Sequence, residues 1–600
     1  MNQETTSAHT DTMHTYACDF ETYYDKQCSI KTLGTQGYFN HPNFEAYMVS
    51  VWGSDGTRYV GDPKEFNWSL FEGNRVLSHN ASFDEAVYMF GVDKGWWPSV
   101  NYAEWLCTAD MTAFLGMPRN LKGASKEAFG AEVNKDVRDN MCAKRWSQMT
   151  PEFKQQVTDY ALKDAEFCYM LWEQLGHQWP DREKKISMIN RRIAQRGIPI
   201  DWDALQKNIG VINTALFDAE QQIPWIQEST PLSRKSFNAE CRKQGIEPPK
   251  SLAKDSPEAA KWFDRHGQEC AWAQAVSDYR RINSFKKKLE SFMNGTTADG
   301  RYYGGFLYFG ASTGRFSGSG GNLNLQNLPR GEMFGVDFRK MIKTPEGRSL
   351  VVVDLSQIEV RTLCHLAGDR KALELIAQSD DIYHAFGVLL GLHDPANGPL
   401  KEFDPVLRHK VKSIVLGCGY GMGPDRFAEF SGMESTEASA AVNTYRKRMP
   451  KVVQLWNSYD EGIRFSVAAG EEFAVELASQ RVLRYGRLKQ MRDTKTGKFR
   501  YVGKIMRQGR KMDVGLWGGI ITENASQGLA RDIFSDMMVR VEDAGYDVVM
   551  HVHDELVVEV DTDKAELALA DIIRIMSTPP EWIPDIPLSA EGKIMDVYSK

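Results

Sequence analysis

What this 600-residue chain lacks removes several classes of protein before any motif is read. It has no uncharged apolar run approaching the ~20 residues of a membrane-spanning helix, and no signal-peptide core near its start. No membrane partner is expected, and a cytoplasmic location is. The nine cysteines are odd in number, irregularly spaced and never arranged as CxxC. Neither a disulfide framework nor a zinc ribbon fits that pattern, and a reducing compartment does. Low-complexity tracts are absent, and 42% apolar with 26% charged residues is an ordinary globular composition. The chain is too long for one core and should divide into about three to four compact units.

Positive charge is also in deficit, with a net charge of −7, which argues against a phosphate-rich partner until the distribution is considered. Residues 481–511 carry twelve Lys and Arg against a single acid, Asp493, with Tyr485, Phe499 and Tyr501 interleaved. A second cluster, Arg280, Arg281, Lys286, Lys287 and Lys288, contains no acid. Surfaces of this kind track phosphate backbones and bind with steep salt dependence.

The carboxylates carry the chemistry. In residues 549–560 two β-rich runs flank His553, Asp554 and Glu555, which reads as a hairpin with exposed acids at its tip. A second run, Leu350-Val351-Val352-Val353-Asp354, is a buried-type strand that ends in a carboxylate. Side by side, these strands would set Asp354 and Asp554 across one cleft, an oxygen-donor pair suited to a hard divalent cation. Near the start, Asp19 and Glu21 leave the same face of a strand. Asp84 opens a helix after a turn at Asn80, and Tyr160 and Asp164 lie one helical turn apart. Asp404-Pro405 starts another helix, along which Arg408, Lys412, Leu416 and Tyr420 form one stripe. Its two cations can grip a triphosphate. Gly417, Gly419 and Gly421 follow a helix rather than a strand, so they are no dinucleotide loop. They are expected to loosen the helix end where it bends.

Asp354-Leu355-Ser356-Gln357-Ile358-Glu359-Val360-Arg361 resembles motif A of the family A (Pol I-like) DNA polymerases, and His553-Asp554-Glu555 resembles their motif C. The 408–420 stripe resembles motif B. Asp19-Phe20-Glu21, Asn80 to Asp84 and Tyr160 to Asp164 resemble the family's three 3′–5′ exonuclease motifs. Residues 189–201 resemble the start of its thumb. The resemblance covers nearly the whole chain and is to bacteriophage members. It implies a multidomain α/β plus α+β protein: a ribonuclease-H-like exonuclease followed by a right-hand polymerase. The expected division is a disordered tail 1–14, exonuclease 15–181, thumb 182–300, palm 301–368, fingers with a DNA-contacting basic segment 369–515, and the rest of the palm 516–600. No 5′-nuclease domain is expected ahead of it.

The resemblance also implies roles. Asp354 and Asp554 would bind two Mg2+, with Mn2+ able to substitute, while Glu555 and His553 support that site and the primer terminus. Asp19, Glu21, Asp84 and Asp164 would bind a second pair of ions, with Tyr160 orienting water. Gln357, Glu359, His384, Arg408, Lys412, Leu416 and Tyr420 would contact the dNTP, Glu359 crowding the ribose 2′ position and so favouring deoxynucleotides. Arg315, Asn324, Gln326, Asn327 and Gln527 would meet the primer–template, beside the basic clusters. Two positions depart from the family: Leu416 replaces an aromatic residue and Glu523 a common asparagine. The implied function is primer extension with proofreading, in phage genome replication in the host cytoplasm. A monomer is expected, with room for accessory replication proteins, and within the subgroup whose genomes carry 2-aminoadenine. The alternatives are a stand-alone 3′–5′ exonuclease with a degenerate C-terminal half, and a non-catalytic DNA-binding scaffold.

Overall fold

The computed structural model describes residues 13–131, 136–253, 256–318, 323–492, 497, 499–507 and 510–599. Most of the expected tail, residues 1–12, therefore lies outside the described residues, as do Asp493, Lys495 and Lys498 of the basic segment. His14 is already anchored: its N–H donates to Asn74 Oδ1 at 2.8 Å.

The first unit is a five-stranded sheet in the order Arg58–Gly61, Ala46–Gly53, Thr15–Thr22, Arg75–Ser78, Glu104–Cys107. The first three strands run antiparallel to one another and the last three parallel. Thr15–Thr22 is central, and all its residues are buried except Asp19 and Glu21, which emerge on one face. Pro151–Leu175 crosses this sheet, capped by Thr150 and opened by a proline in its first turn. Ser50 Oγ donates to Ala161 O at 2.8 Å and pins the helix to the strand beside Asp19.

Helices fill residues 181–295, as the pattern predicts. The boundary expected at residue 182 is different, however. Asp181–Arg196 packs Ile186, Ile189 and Ile193 into the same core as the strands around Asp354 and Asp554. A separate aromatic core, with Trp225, Phe237, Trp262 and Trp272, holds the outer helices between 223 and 276.

The C-terminal half is built on a four-stranded antiparallel sheet in the order Val548–Val552, Glu555–Asp561, Arg348–Leu355, Ala590–Met595. The 26-residue helix Gly518–Asp543 backs it. Pro405–Cys418 belongs to a separate helical core with Tyr383, Val411, Val415 and Tyr445. Between those two helices in the sequence, a three-stranded β-ribbon, Lys489–Arg492, Phe499–Arg507 and Arg510–Leu516, carries much of the basic segment.

Candidate active sites and nucleic-acid interface

Arg348–Leu355 runs between two partners, which buries six of its eight residues and leaves Asp354 partly open at its end. The neighbouring hairpin turns on His553 and Asp554 alone. His553 adopts φ 57, the left-handed conformation that a two-residue reversal needs. Asp354 lies opposite Glu555 in register, and the Leu355 N–H donates to Asp554 O at 3.0 Å. The Asp354 and Asp554 side chains thus start from neighbouring backbone positions on paired strands. Glu555 departs from the expectation of an exposed tip acid. It is 1% exposed and accepts a 2.6 Å hydrogen bond from the Tyr598 hydroxyl, in a strand whose first five residues are all buried. Burial and this carboxylate push the Tyr598 phenol up.

Motif A continues into Ile358–Leu366, whose exposed N-cap Gln357 is left-handed at φ 45. Glu359 forms an ion pair with Arg315 and accepts the Tyr420 hydroxyl at 3.4 Å. The stripe of Arg408, Lys412 and Leu416 lies on Pro405–Cys418, but Tyr420 does not, because the helix ends two residues earlier. The helix ends among the glycines, with Gly419 as its C-cap. A Cβ at Gly417 would sit 2.7 Å from Phe427 and one at Gly419 2.9 Å from Leu363, so close packing demands these two. Only Gly421, at φ +78, is required by its backbone. Arg408 is held by both oxygens of Asp381, at 2.6 and 3.1 Å. Lys412 is exposed, its ammonium 5.9 Å from the Tyr383 ring. His384 Nδ1 accepts the Leu400 N–H at 3.2 Å, and Leu416 is 44% exposed.

In the N-terminal unit Asp84 Oδ1 accepts the Phe20 N–H at 3.0 Å, which fastens its helix between Asp19 and Glu21. Burial, then Asp84, Glu21 and Asp164, push Asp19 well above the usual carboxylate range. Burial and Asp164 raise Glu21 to about 8 against the opposing pull of Arg138. Burial also raises Asp84 to about 7, and burial with Asp164 raises Tyr160. Mutual elevation of this kind marks one shared acidic site. Among the described residues no three His, Cys, Asp or Glu side chains form a ready-made metal cage. The fit to a divalent ion therefore rests on the donor set, all of it hard carboxylate oxygen on stiff strands and helices.

The proposed DNA contacts divide. Arg315, Asn324 and Asn327 line an irregular segment, with Asn327 exposed. Gln326 is 7% exposed and reaches inward to His551 Nδ1 at 3.3 Å, so it supports the loop from below. Gln527 Nε2 donates to Glu523 Oε1 at 3.2 Å, and burial and Glu359 raise the Glu523 carboxyl. Arg280 stacks on Phe263 and Arg281 pairs with Asp278 at 3.6 Å. Lys286 pairs with Glu290 at 3.7 Å, while Lys287 is exposed and Lys288 partly so. Arg481 does not belong to the basic surface. It is 6% exposed and bound to Asp532 at 2.9 Å. Asp381, Tyr598 and Arg138 were invisible as partners in sequence, since each acts on a residue distant along the chain. Only Asp381 had a local signal, capping the helix that presents His384.

A model described as DNA polymerase family A matches residues 243–600. The chain belongs to the family A DNA polymerases. The enzyme is 26% identical to a DNA polymerase of Bacillus phage SP02, an alignment covering 98% of this polymerase and 100% of that one. It is 25% identical to the thermostable DNA polymerase I of Thermus filiformis, over 73% of this chain and 51% of that protein. The polymerase thus spans the full phage relative and about half of that bacterial one. A solved structure, the POL domain of Pol1 from M. smegmatis in complex with DNA primer-template and dNTP, superposes with a TM-score of 0.69. It covers 98% of this chain and 95% of that one at 18% identity, a likeness of fold. Among the described residues no helix is long and apolar enough to cross a membrane, and all nine thiols are free.

Proposed function

We propose that this family A polymerase extends primers by two-metal phosphoryl transfer at Asp354 and Asp554 and removes mispaired ends at Asp19, Glu21, Asp84 and Asp164. The observation that supports the polymerase site is the two-residue turn hydrogen-bonded to the strand of Asp354, from which the Asp354 and Asp554 side chains start at neighbouring backbone positions. Asp354 and Asp554 would hold two Mg2+, or Mn2+ in their place, and the ions would supply Lewis-acid stabilisation to the transferring phosphoryl group. The chain's own groups do the rest. Arg408 and Lys412 offset the triphosphate charge, with Lys412 placed to give a proton to the departing pyrophosphate. Glu359, braced by Arg315 and Tyr420, excludes a 2′-hydroxyl. Glu555, His553, His384, Gln357 and Leu416 shape the rest of the pocket, and Tyr160 orients water in the exonuclease.

The mixed sheet with one reversed inner strand supports a ribonuclease-H-like exonuclease, and the separate helical layers support thumb and fingers around a palm. Primer–template DNA and dNTP, present in the mycobacterial neighbour, are the proposed ligands. Replication of a phage genome in the host cytoplasm, by a monomer open to accessory proteins, completes the proposal. An end-labelled primer on a longer template with Mg2+ tests it. Extension with dNTPs and shortening without them support both sites, whereas shortening in both lanes favours a stand-alone exonuclease. The proposal that 2-aminoadenine is a substrate is tested by competition with dATP opposite thymine. Equal or poorer use of the modified base removes it.

A further inference from the structure

The strand Ala590–Met595 lies beside Arg348–Leu355, on the side away from the His553-Asp554 turn. The segment that follows it is stitched to the residues just ahead of Arg348–Leu355. The Thr344 N–H donates to Asp596 O at 2.9 Å, Val597 bridges Lys343, and the Tyr598 N–H donates to Ile342 O at 2.9 Å. Ser349 Oγ adds a bond to Asp596 Oδ1 at 2.9 Å. These anchors deliver the Tyr598 side chain to the polymerase carboxylates, where its hydroxyl donates to Glu555 Oε1 at 2.6 Å.

Three observations give that bond a role beyond closing the segment. Tyr598 and Glu555 are each 1% exposed, so water does not take the place of the hydroxyl, and losing it leaves a buried carboxylate short of a donor. Glu555 directly follows Asp554 and lies opposite Asp354 in register, so the Glu555 and Asp354 side chains leave one face of the sheet as neighbours. Burial, then Glu555, and more weakly Asp354, push the phenol up, which sets the hydroxyl in the field of both acids. On the other side of the ring stands Arg339, 5.6 Å from its centroid. The same guanidinium donates to Pro329 O at 3.2 Å and Leu328 O at 3.4 Å. Those carbonyls close the segment of Asn324 and Asn327, which is proposed to meet the primer–template. One ring thus stands between an acid of the metal site and the base of a DNA-contacting loop.

We propose that Tyr598 is a positioning residue for primer extension, fixing the Glu555 side chain and through it the arrangement of acids around the cations. The inference rests on the proposed polymerase site and on Glu555 supporting it. It is independent of the exonuclease reading.

The test uses the full chain in an Asp84→Asn background, which silences the N-terminal site. Y598F removes only the hydroxyl and keeps the ring beneath Arg339. E555Q and Y598F/E555Q complete a double-mutant cycle. S349A cuts another anchor of the same segment without touching Glu555. Single-nucleotide insertion gives kcat and KM. Electron paramagnetic resonance titration of Mn2+ into the complex with a dideoxy-terminated primer–template and dNTP gives cation affinity without turnover. Y598F should lower kcat about ten-fold, the scale of one hydrogen bond to a charged group, while KM for the dNTP stays unchanged. It should also weaken Mn2+ binding, add no further loss to E555Q, and differ from S349A, which should move neither quantity. Wild-type kcat and Mn2+ affinity in Y598F overturn the proposal, as does a full, additive loss in the double variant. An equal loss in S349A also overturns it, because the segment would then be a structural anchor only. E555Q with undiminished kcat removes the role of Glu555 on which the proposal rests. Wild-type protein that fails to extend primers refutes the polymerase reading itself.

Discussion

The helix Asp181–Arg196 and the long helix behind the C-terminal sheet are joined by a buried ionic network, and breaking it should be costly. Glu183 accepts Arg531 at 2.7 and 2.9 Å and the Tyr308 hydroxyl at 2.7 Å. Arg531 also reaches Asp532 at 3.2 Å, and Asp532 in turn holds Arg481. The Glu183 and Arg531 side chains are 7% and 1% exposed, so water cannot replace a lost partner. Removing one member of a buried pair costs about 3–5 kcal/mol, against about 0–1 kcal/mol for a surface pair. Glu183→Gln should therefore lower the melting temperature of this body by roughly 6–20 °C at about 2–4 °C per kcal/mol. Burial alone would raise the Glu183 carboxyl, but Arg531 and Tyr308 hold it low. The network's contribution is thus full above the unfolded carboxylate pKa of about 4.3 and is lost only as pH falls through the folded value. Glu183→Leu/Arg531→Met, which removes both charges, should recover most of the loss. The assay is thermal and urea unfolding of each single and the double variant, with primer extension at 25 °C as the check on native structure. A cost below about 1 kcal/mol for Glu183→Gln, or a double variant worse than both singles, would refute the reasoning.

Asp381→Asn keeps the helix cap but frees Arg408, so KM for the incoming dNTP should fall up to about five-fold, the scale of a part-exposed pair. Steady-state single-nucleotide insertion measures this, and an unchanged or raised KM counts against it. Leu416→Phe adds a stacking ring, worth about 1 kcal/mol. Insertion should quicken roughly five-fold and dideoxynucleotide use should shift; no change in either sinks the idea. With Glu21 and Asp84 raised to about 8 and about 7, the metal-free protein should lose stability as pH climbs from about 4 through 8. Added Mg2+ should restore more melting temperature at pH 8.5 than at pH 6, and a larger gain at pH 6 contradicts the clustering.

The carboxylate motifs were legible because each is local. Asp19 and Glu21 follow the two-residue period of a strand, Asp354 ends one, and His553-Asp554 is a turn. What escaped the sequence are pairings across long separations. Gln326 looked like a surface amide, and only the fold brings His551 and Asn190 beneath it. Arg481 counted among the surface cations until Asp532, 51 residues away, took it inside. The 3.6-residue stripe ran on to Tyr420 because periodicity does not register that Gly419 lies against Leu363, where the helix stops. Helical pattern alone likewise placed residues 182–196 with the thumb, whereas Ile186, Ile189 and Ile193 pack in the core of the sheet.

The most direct test of two separate sites on one chain compares wild type, Asp354→Asn and Asp84→Asn on the same end-labelled primer–template with Mg2+, with and without dNTPs. Asp354→Asn should lose extension and keep 3′ shortening, and Asp84→Asn should lose shortening and keep extension. If Asp354→Asn still extends, or if either substitution abolishes both activities in a protein that melts like wild type, the two-site account is wrong.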